Sequence, residues 1–361
     1  MVVLENERLK VTIAKKGAEL QSVFHKAEQF DYIWQGAEGF WSKQSPNLFP
    51  IVGRLIDNKH IKDGQIYEMT QHGFARDNDF ELVEQTAESA SFVLVENDET
   101  LARYPYAFQL KLTYTLIENA VTVLFEVENR SDETMPYSLG GHPAFNVPLN
   151  GEGRFEDYEL HFNNNTLTDF EYHEMNPAPY VSGIKRPLTA VKDGKMQVDR
   201  ELLGAGLIID GQDGALQKAS LVSNQTEHSV TIFMNDFPYL CVWTEEGVEA
   251  PFLCVEPFHG MADQHGEIGE LANKRGIQLL EAGQKNGHSY QMVFDYQSEV
   301  QLTNREGESS LHHVSEAGLD HLRQQLIDQT QAEFEINGTT YLKADLTHVA
   351  MENWTISFDS K

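Results

Sequence analysis

Four short segments of this sequence set ionisable side chains beside glycine or proline. They are Phe49-Pro50-Ile51-Val52-Gly53-Arg54, Gln71-His72-Gly73-Phe74-Ala75-Arg76-Asp77, Gly140-Gly141-His142-Pro143-Ala144-Phe145-Asn146 and Val255-Glu256-Pro257-Phe258-His259-Gly260-Met261-Ala262-Asp263. At such places the backbone bends and side chains can be aimed into a cleft. A lone His-Gly pair is ordinarily a hydrogen-bonded structural histidine, but four such segments together argue for a site. A histidine and a glutamate facing each other across a sugar-sized cleft form an acid/base pair, and two arginines add donors for hydroxyl or carboxylate oxygens. Opening a cyclic hemiacetal needs that pairing: one group protonates the ring oxygen while another takes the proton of the anomeric hydroxyl. This chemistry requires neither a metal nor a redox cofactor.

Other chemistries are poorly supplied. A metal site would recruit His72, His142 and Glu256, yet none has a second ligand at the short spacings of His-rich sites, so no metal and no cofactor is expected. There is no glycine-rich phosphate loop, nucleophile elbow or dinucleotide fingerprint, and GGHPAF lacks the Ser or Cys nucleophile of an acyl-transfer motif.

The elements that must position these residues are strands. Apolar residues alternate along Arg8 to Ile13, Glu19 to Phe24, Ser91 to Val95, Phe108 to Leu116, Val121 to Val127, Val230 to Met234 and Tyr290 to Phe294. Turn signals such as Lys62-Asp63-Gly64, Ile117-Glu118-Asn119 and Asp213-Gly214 separate them, and Asn163 to Val198 reads as a long irregular surface excursion. Many strands with almost no helical windows predict a mainly β chain, a large sandwich of antiparallel sheets. After about Tyr296 the pattern changes. A polar, linker-like run, QSEVQLTNREGESS, precedes a segment from Val314 to Phe334 with Leu319, Leu322, Leu326 and Ile327 at helical spacing; FEINGTTYLKA and WTISF then alternate like a hairpin. The division predicted is a sandwich over residues 1–297 and a small α+β appendage over 298–361.

Composition bounds the partners. The chain has 361 residues with 56 acidic against 27 basic ones, a formal charge of −29. Nucleic acid and anionic membranes both need a cationic surface and are not expected; a neutral small molecule fits better. No apolar run reaches membrane-spanning length and the amino terminus alternates like a strand, so a cytoplasmic protein is expected. The two cysteines, Cys241 and Cys254, lie in apolar runs and read as buried thiols on neighbouring strands.

The order NLFPIVGR, HGFARD, YPYAFQLKLTYTL, ENRSDETMPYSLGGHPAFNVP, VEPFHGMAD resembles the aldose 1-epimerase (galactose mutarotase-like) family, including its LacX-like members, over roughly residues 1–297. The resemblance implies a β-supersandwich fold and an isomerase acting on an aldose. It implies His142 as general acid to the ring oxygen and Glu256 as general base at the anomeric hydroxyl. Arg54 and His72 would bind substrate hydroxyls, with Arg76 in support, and Trp243 is either an aromatic face for the sugar or a core residue. A hexose-phosphate 1-epimerase and a catalytically weak sugar-binding or regulatory protein are the alternatives. One departure stands out: Gly206 falls where the family usually has an Asp, leaving that carboxylate missing or replaced by Asp210. The appendage lies outside the resemblance; a homodimer contact, partner docking and passive extension are the roles open to it.

Overall fold

The computed structural model describes residues 1–163, 167, 169–328, 330–337, 339–351 and 354–358. The long alternating runs form strands as expected. Phe108–Ile117 and Ala120–Asn129 make an antiparallel hairpin in which every second residue is buried, and Ile117 pairs with Ala120 across a two-residue turn. With Ser89–Val95, Lys285–Phe294, Val230–Phe233 and Lys218–Ser223 they belong to a nine-stranded sheet. An eight-stranded sheet is built around Phe252–His259, flanked by Tyr239–Trp243 on one side and by the short strands Leu139–Gly141 and Ala144–Asn146 on the other. A four-stranded sheet from Val2 to Asp31 completes this part. The main core is aromatic and aliphatic, with Phe49, Phe92, Phe108, Phe125, Tyr137 and Tyr290 among its fully buried members.

Strand Phe252–His259 carries Glu256, one of the residues singled out from the sequence. All eight of its residues are buried, and alternation sends them to two different places. Leu253 and Val255 join the main core, whereas Cys254, Glu256 and Phe258 point to the other side of the sheet.

Two expectations are corrected. The excursion from Asn163 to Val198 contains the strands Glu171–Met175, Val181–Pro187 and Lys195–Gln197; the first two form a hairpin that extends the eight-stranded sheet. Its edge strand exposes Lys185, Arg186 and Pro187, a composition that protects an edge from further pairing and erases the alternation by which strands are read. Residues 164–166 and 168 of that stretch lie outside the described set. The run QSEVQLTNREGESS is likewise not a linker. It forms Gln297–Asn304 and the start of Ser309–Ser315, paired as a hairpin, with Ser298, Val300 and Leu302 buried beneath a polar outer face.

These strands pair with Leu346–Met351 and Trp354–Ser357 in a four-stranded sheet, beside the helix Glu316–Ile327 and the hairpin Glu333–Ile336/Thr339–Leu342. Ser315 caps the helix, accepting the Gly318 N–H at 3.2 Å. Val300, Leu319, Leu322, Leu326, Phe334 and Val349 form a core of their own. No helix among the described residues is long and apolar enough to cross a membrane.

Candidate active site

The eight-stranded sheet carries a cleft of about 330 Å³ on the face away from the main core. All six residues singled out from the sequence, Arg54, His72, Arg76, His142, Trp243 and Glu256, line it.

His142 follows Leu139–Gly141, and the two glycines before it have packing reasons. A Cβ at Gly140 would lie 2.6 Å from the Phe258 ring, and one at Gly141 2.4 Å from the Tyr290 hydroxyl. Without side chains there, the strand settles onto its neighbours and His142 meets Glu256, with Nε2 3.2 Å from Oε2. Glu256 is 1% exposed and His142 7%. Burial pushes the Glu256 carboxyl well above its ordinary 4.5. Burial, with the Arg76 charge adding to it, pulls His142 down to about 3. Both effects favour the neutral forms. With a single proton between them, its movement between Oε2 and Nε2 leaves the net charge of the pair at zero.

His72 sits at a positive φ of 65° beside Gly73 at 74°, where a Cβ on the glycine would lie 2.2 Å from the Phe49 carbonyl oxygen. This tight bend turns the His72 ring into the cleft. Its Nδ1 accepts the Gly53 N–H at 3.1 Å, and its ring lies edge-on to His142 at 5.6 Å. Burial first, then the charges of His142, Arg76 and Arg54, hold it well below 6.5. Arg54 donates to Gln71 Oε1 at 2.8 Å, and Arg76 donates to the Gln71 carbonyl oxygen at 2.8 Å. The Nε atoms of both arginines are buried without a hydrogen-bond partner among the described residues. Asp263, at the end of the VEPFHGMAD motif, anchors this corner: it accepts the Ile56 N–H at 2.9 Å and contacts Lys274 Nζ at 2.5 Å.

Trp243 is half-buried, with one edge toward the cleft. Its indole donates to the Gly204 carbonyl oxygen at 3.1 Å, and its ring lies edge-on to His142 at 5.9 Å. Sequence reasoning missed Trp41, which stacks on His142 with centroids 4.9 Å apart and planes at 27°. A tryptophan in the strand-free run EGFWSKQ was the available signal, because a large aromatic outside any alternating run has no core to fill. Gln71 was also missed as a site residue; it lies between Arg54 and His72.

Gly206 does line the cleft. Its φ is +87°, and the nearest atom to a Cβ there would be Cys241 Sγ at 3.8 Å, so there is room for a side chain in a backbone conformation that disfavours one. Asp210 does not line it; it is paired with His173 at 3.0 Å and Lys185 at 2.8 Å. Cys241 and Cys254 are buried on neighbouring strands, as expected. Cys254 joins His142 and Glu256 in a set of potential metal-ligating atoms within 4.8 Å of one another; the set envisaged from sequence, with His72, is not the one assembled.

The aldose 1-epimerase family profile matches residues 1–275. This chain belongs to that family. It is 29% identical over 280 residues to the chromosomal LacX protein of Lactococcus lactis subsp. lactis, covering 76% of this chain and 92% of LacX. Among solved structures, a galactose mutarotase-like protein from Lactobacillus casei superposes with a TM-score of 0.77 at 34% identity, covering 81% of this chain and 99% of that one. A galactose mutarotase related enzyme from Lactobacillus acidophilus gives 0.76 at 31% identity, covering 81% and 96%. The fold is thus galactose mutarotase-like, and membership supports a sugar epimerase type of role with a small-molecule sugar as ligand.

Proposed function

We propose that the cleft interconverts the α and β anomers of a free aldose, as a cofactor-independent aldose 1-epimerase. The observation that carries this reading is the His142–Glu256 contact of 3.2 Å, set among arginine donors and the two tryptophans. The ring oxygen and the anomeric hydroxyl hang from one carbon, so an acid and a base serving both must be neighbours. In the opening step, His142 Nε2 gives its proton to the ring oxygen and Glu256 takes the proton of the anomeric hydroxyl. The carbon–ring oxygen bond breaks and the aldehyde forms. The step starts from the imidazolium–carboxylate form of the pair, which burial makes the minor one, and ends in the neutral pair that burial favours. Rotation about the bond to the aldehyde carbon and reversal of both transfers close the ring on the other face. Arg54, His72 and Arg76 would hold hydroxyls during that rotation, and Trp41 and Trp243 would cover apolar faces of the sugar.

A second reading, a hexose-6-phosphate 1-epimerase, draws support from the charge of the lining. Among the described residues Glu256 is its only carboxylate, against Arg54 and Arg76. Anomer exchange followed by NMR on free and phosphorylated aldoses separates the two. Residues 298–361, with their own core, are proposed as an appendage to the sugar-binding part at 1–297.

A further inference from the structure

Outside the cleft, one more group of described residues brings three potential ligand atoms within 4.8 Å of one another: Asp236, His259 and His288. They come from three places. His259 ends the central strand of the eight-stranded sheet, and His288 lies in Lys285–Phe294 of the nine-stranded one. Asp236 is on the loop that carries the chain from Val230–Phe233 to Tyr239–Trp243, from one sheet to the other.

His259 is 7% exposed, and neither of its ring nitrogens has a hydrogen-bond partner among the described residues. A neutral imidazole carries one N–H and one lone pair, so this burial forfeits both. The neighbouring His288 ring, with its centroid 4.3 Å away, does not repair the loss. His288 Nδ1 is 3.3 Å from Asp236 Oδ2 but lacks a hydrogen bond of normal geometry there.

The surroundings are those of a ligand set. His288 Nε2 lies 2.8 Å from the Tyr137 hydroxyl, which fixes the ring with Nδ1 turned to Asp236. Asp236 Oδ1 accepts the Ser289 N–H at 3.2 Å, so that Oδ2 faces His288 Nδ1 at 3.3 Å. The Asp236 side chain is 48% exposed and gives an ion a way in.

We propose that Asp236, His259 and His288 bind one divalent cation of the zinc class through two imidazole nitrogens and a carboxylate, with a water in the fourth position. Tetrahedral bonds of about 2.0–2.1 Å put ligand atoms about 3.4 Å apart, so the three side chains, whose ligand atoms lie within 4.8 Å of one another, must draw in to close on the ion. His259 belongs to the face of its strand away from the cleft, so the ion is expected to act on stability rather than on the sugar. Glu256 and His259, three residues apart on one strand, face opposite sides of the sheet, so the ion pins the catalytic strand to the nine-stranded sheet from behind.

The test uses the full chain, stripped with a chelator and titrated with Co²⁺ or Zn²⁺ in excess Mg²⁺, which occupies the weak sites of an acidic surface. The expected result is one Co²⁺ per chain with visible d–d absorption, no thiolate band in the near ultraviolet, and a raised melting temperature. Asp236→Asn, at a half-exposed position, should fold, keep anomer exchange and weaken binding on the order of 10-fold or more; His259→Gln should weaken it on the order of 100-fold. Tyr137→Phe should weaken it about 10-fold through His288. Binding no tighter than Mg²⁺, binding unchanged in folded Asp236→Asn, or a thiolate band assigning the ion to Cys254 would each overturn the proposal.

Discussion

His142 and Glu256 meet in a place that disfavours charge on either. Glu256→Gln and His142→Asn keep size and some hydrogen bonding, so each is expected to fold and to lose anomer exchange on the order of 10²-fold or more. The pH profile should carry the same signature. Adding a second proton to the pair disables the base, and His142, lowered to about 3, takes it up only in strong acid. The acid limb should therefore lie well below the ordinary histidine value of 6.5, and the alkaline limb should follow the raised Glu256 carboxyl. A rate that falls as pH drops through the ordinary histidine range would contradict this assignment. At Gly206, Asp would enter open space but at a φ of +87°. Gly206→Asp is expected to lose about 1–2 kcal/mol of stability and to tighten sugar binding. A thermal melt beside a titration reads both, and unchanged affinity would detach Gly206 from the position of the usual family carboxylate.

The short strand Leu139–Gly141 and the central strand Phe252–His259 set the distance on which the chemistry depends. Gly141→Ala would drive a methyl to 2.4 Å from the Tyr290 hydroxyl. The expected cost is about 1–3 kcal/mol in denaturant unfolding, with a loss of kcat as His142 is displaced. Unchanged stability and rate would mean that the sheet can yield there. Strands of this kind were legible because a half-buried strand alternates, as Phe108–Ile117 does throughout. Val181–Pro187 hid because an exposed edge has no reason to alternate, and Gln297–Asn304 hid because its buried Ser298 and its outer Glu299 and Gln301 read as a linker. The site was legible where chemistry sits beside Gly or Pro, as at His72 and His142. Trp41 was not, because its role lies in a contact with His142 101 positions away that no local pattern encodes.

Over the whole molecule, a chain of net charge −29 surrounds a cleft with two arginines and one buried carboxyl. Such a field slows the arrival of anions, so added salt should speed the capture of a phosphorylated sugar more than that of a free one. Burial holds His60, His72, His142, His173 and His259 below 6.5. Below that value the unfolded chain takes up protons that the folded one refuses, so stability falls as pH drops. The raised Glu256 and Asp31 carboxyls work the other way, two groups against five. The melting temperature should fall between about pH 7 and about pH 5; a constant or rising value would mean these histidines are charged in the fold. Among the described residues none beyond Ala262 lines the cleft, and Val300, Leu319, Leu322 and Phe334 belong to a separate core. A chain ending at Tyr296 is expected to fold by circular dichroism and to retain turnover; a folded but inactive one would tie the appendage to the site.

The most direct measurement is the rate of α/β anomer exchange by NMR, on free and phosphorylated aldoses, for the native protein and folded Glu256→Gln. The account expects exchange well above the spontaneous rate for at least one aldose, and its collapse in the variant. Native exchange no faster than in buffer, or undiminished exchange in Glu256→Gln, would contradict it.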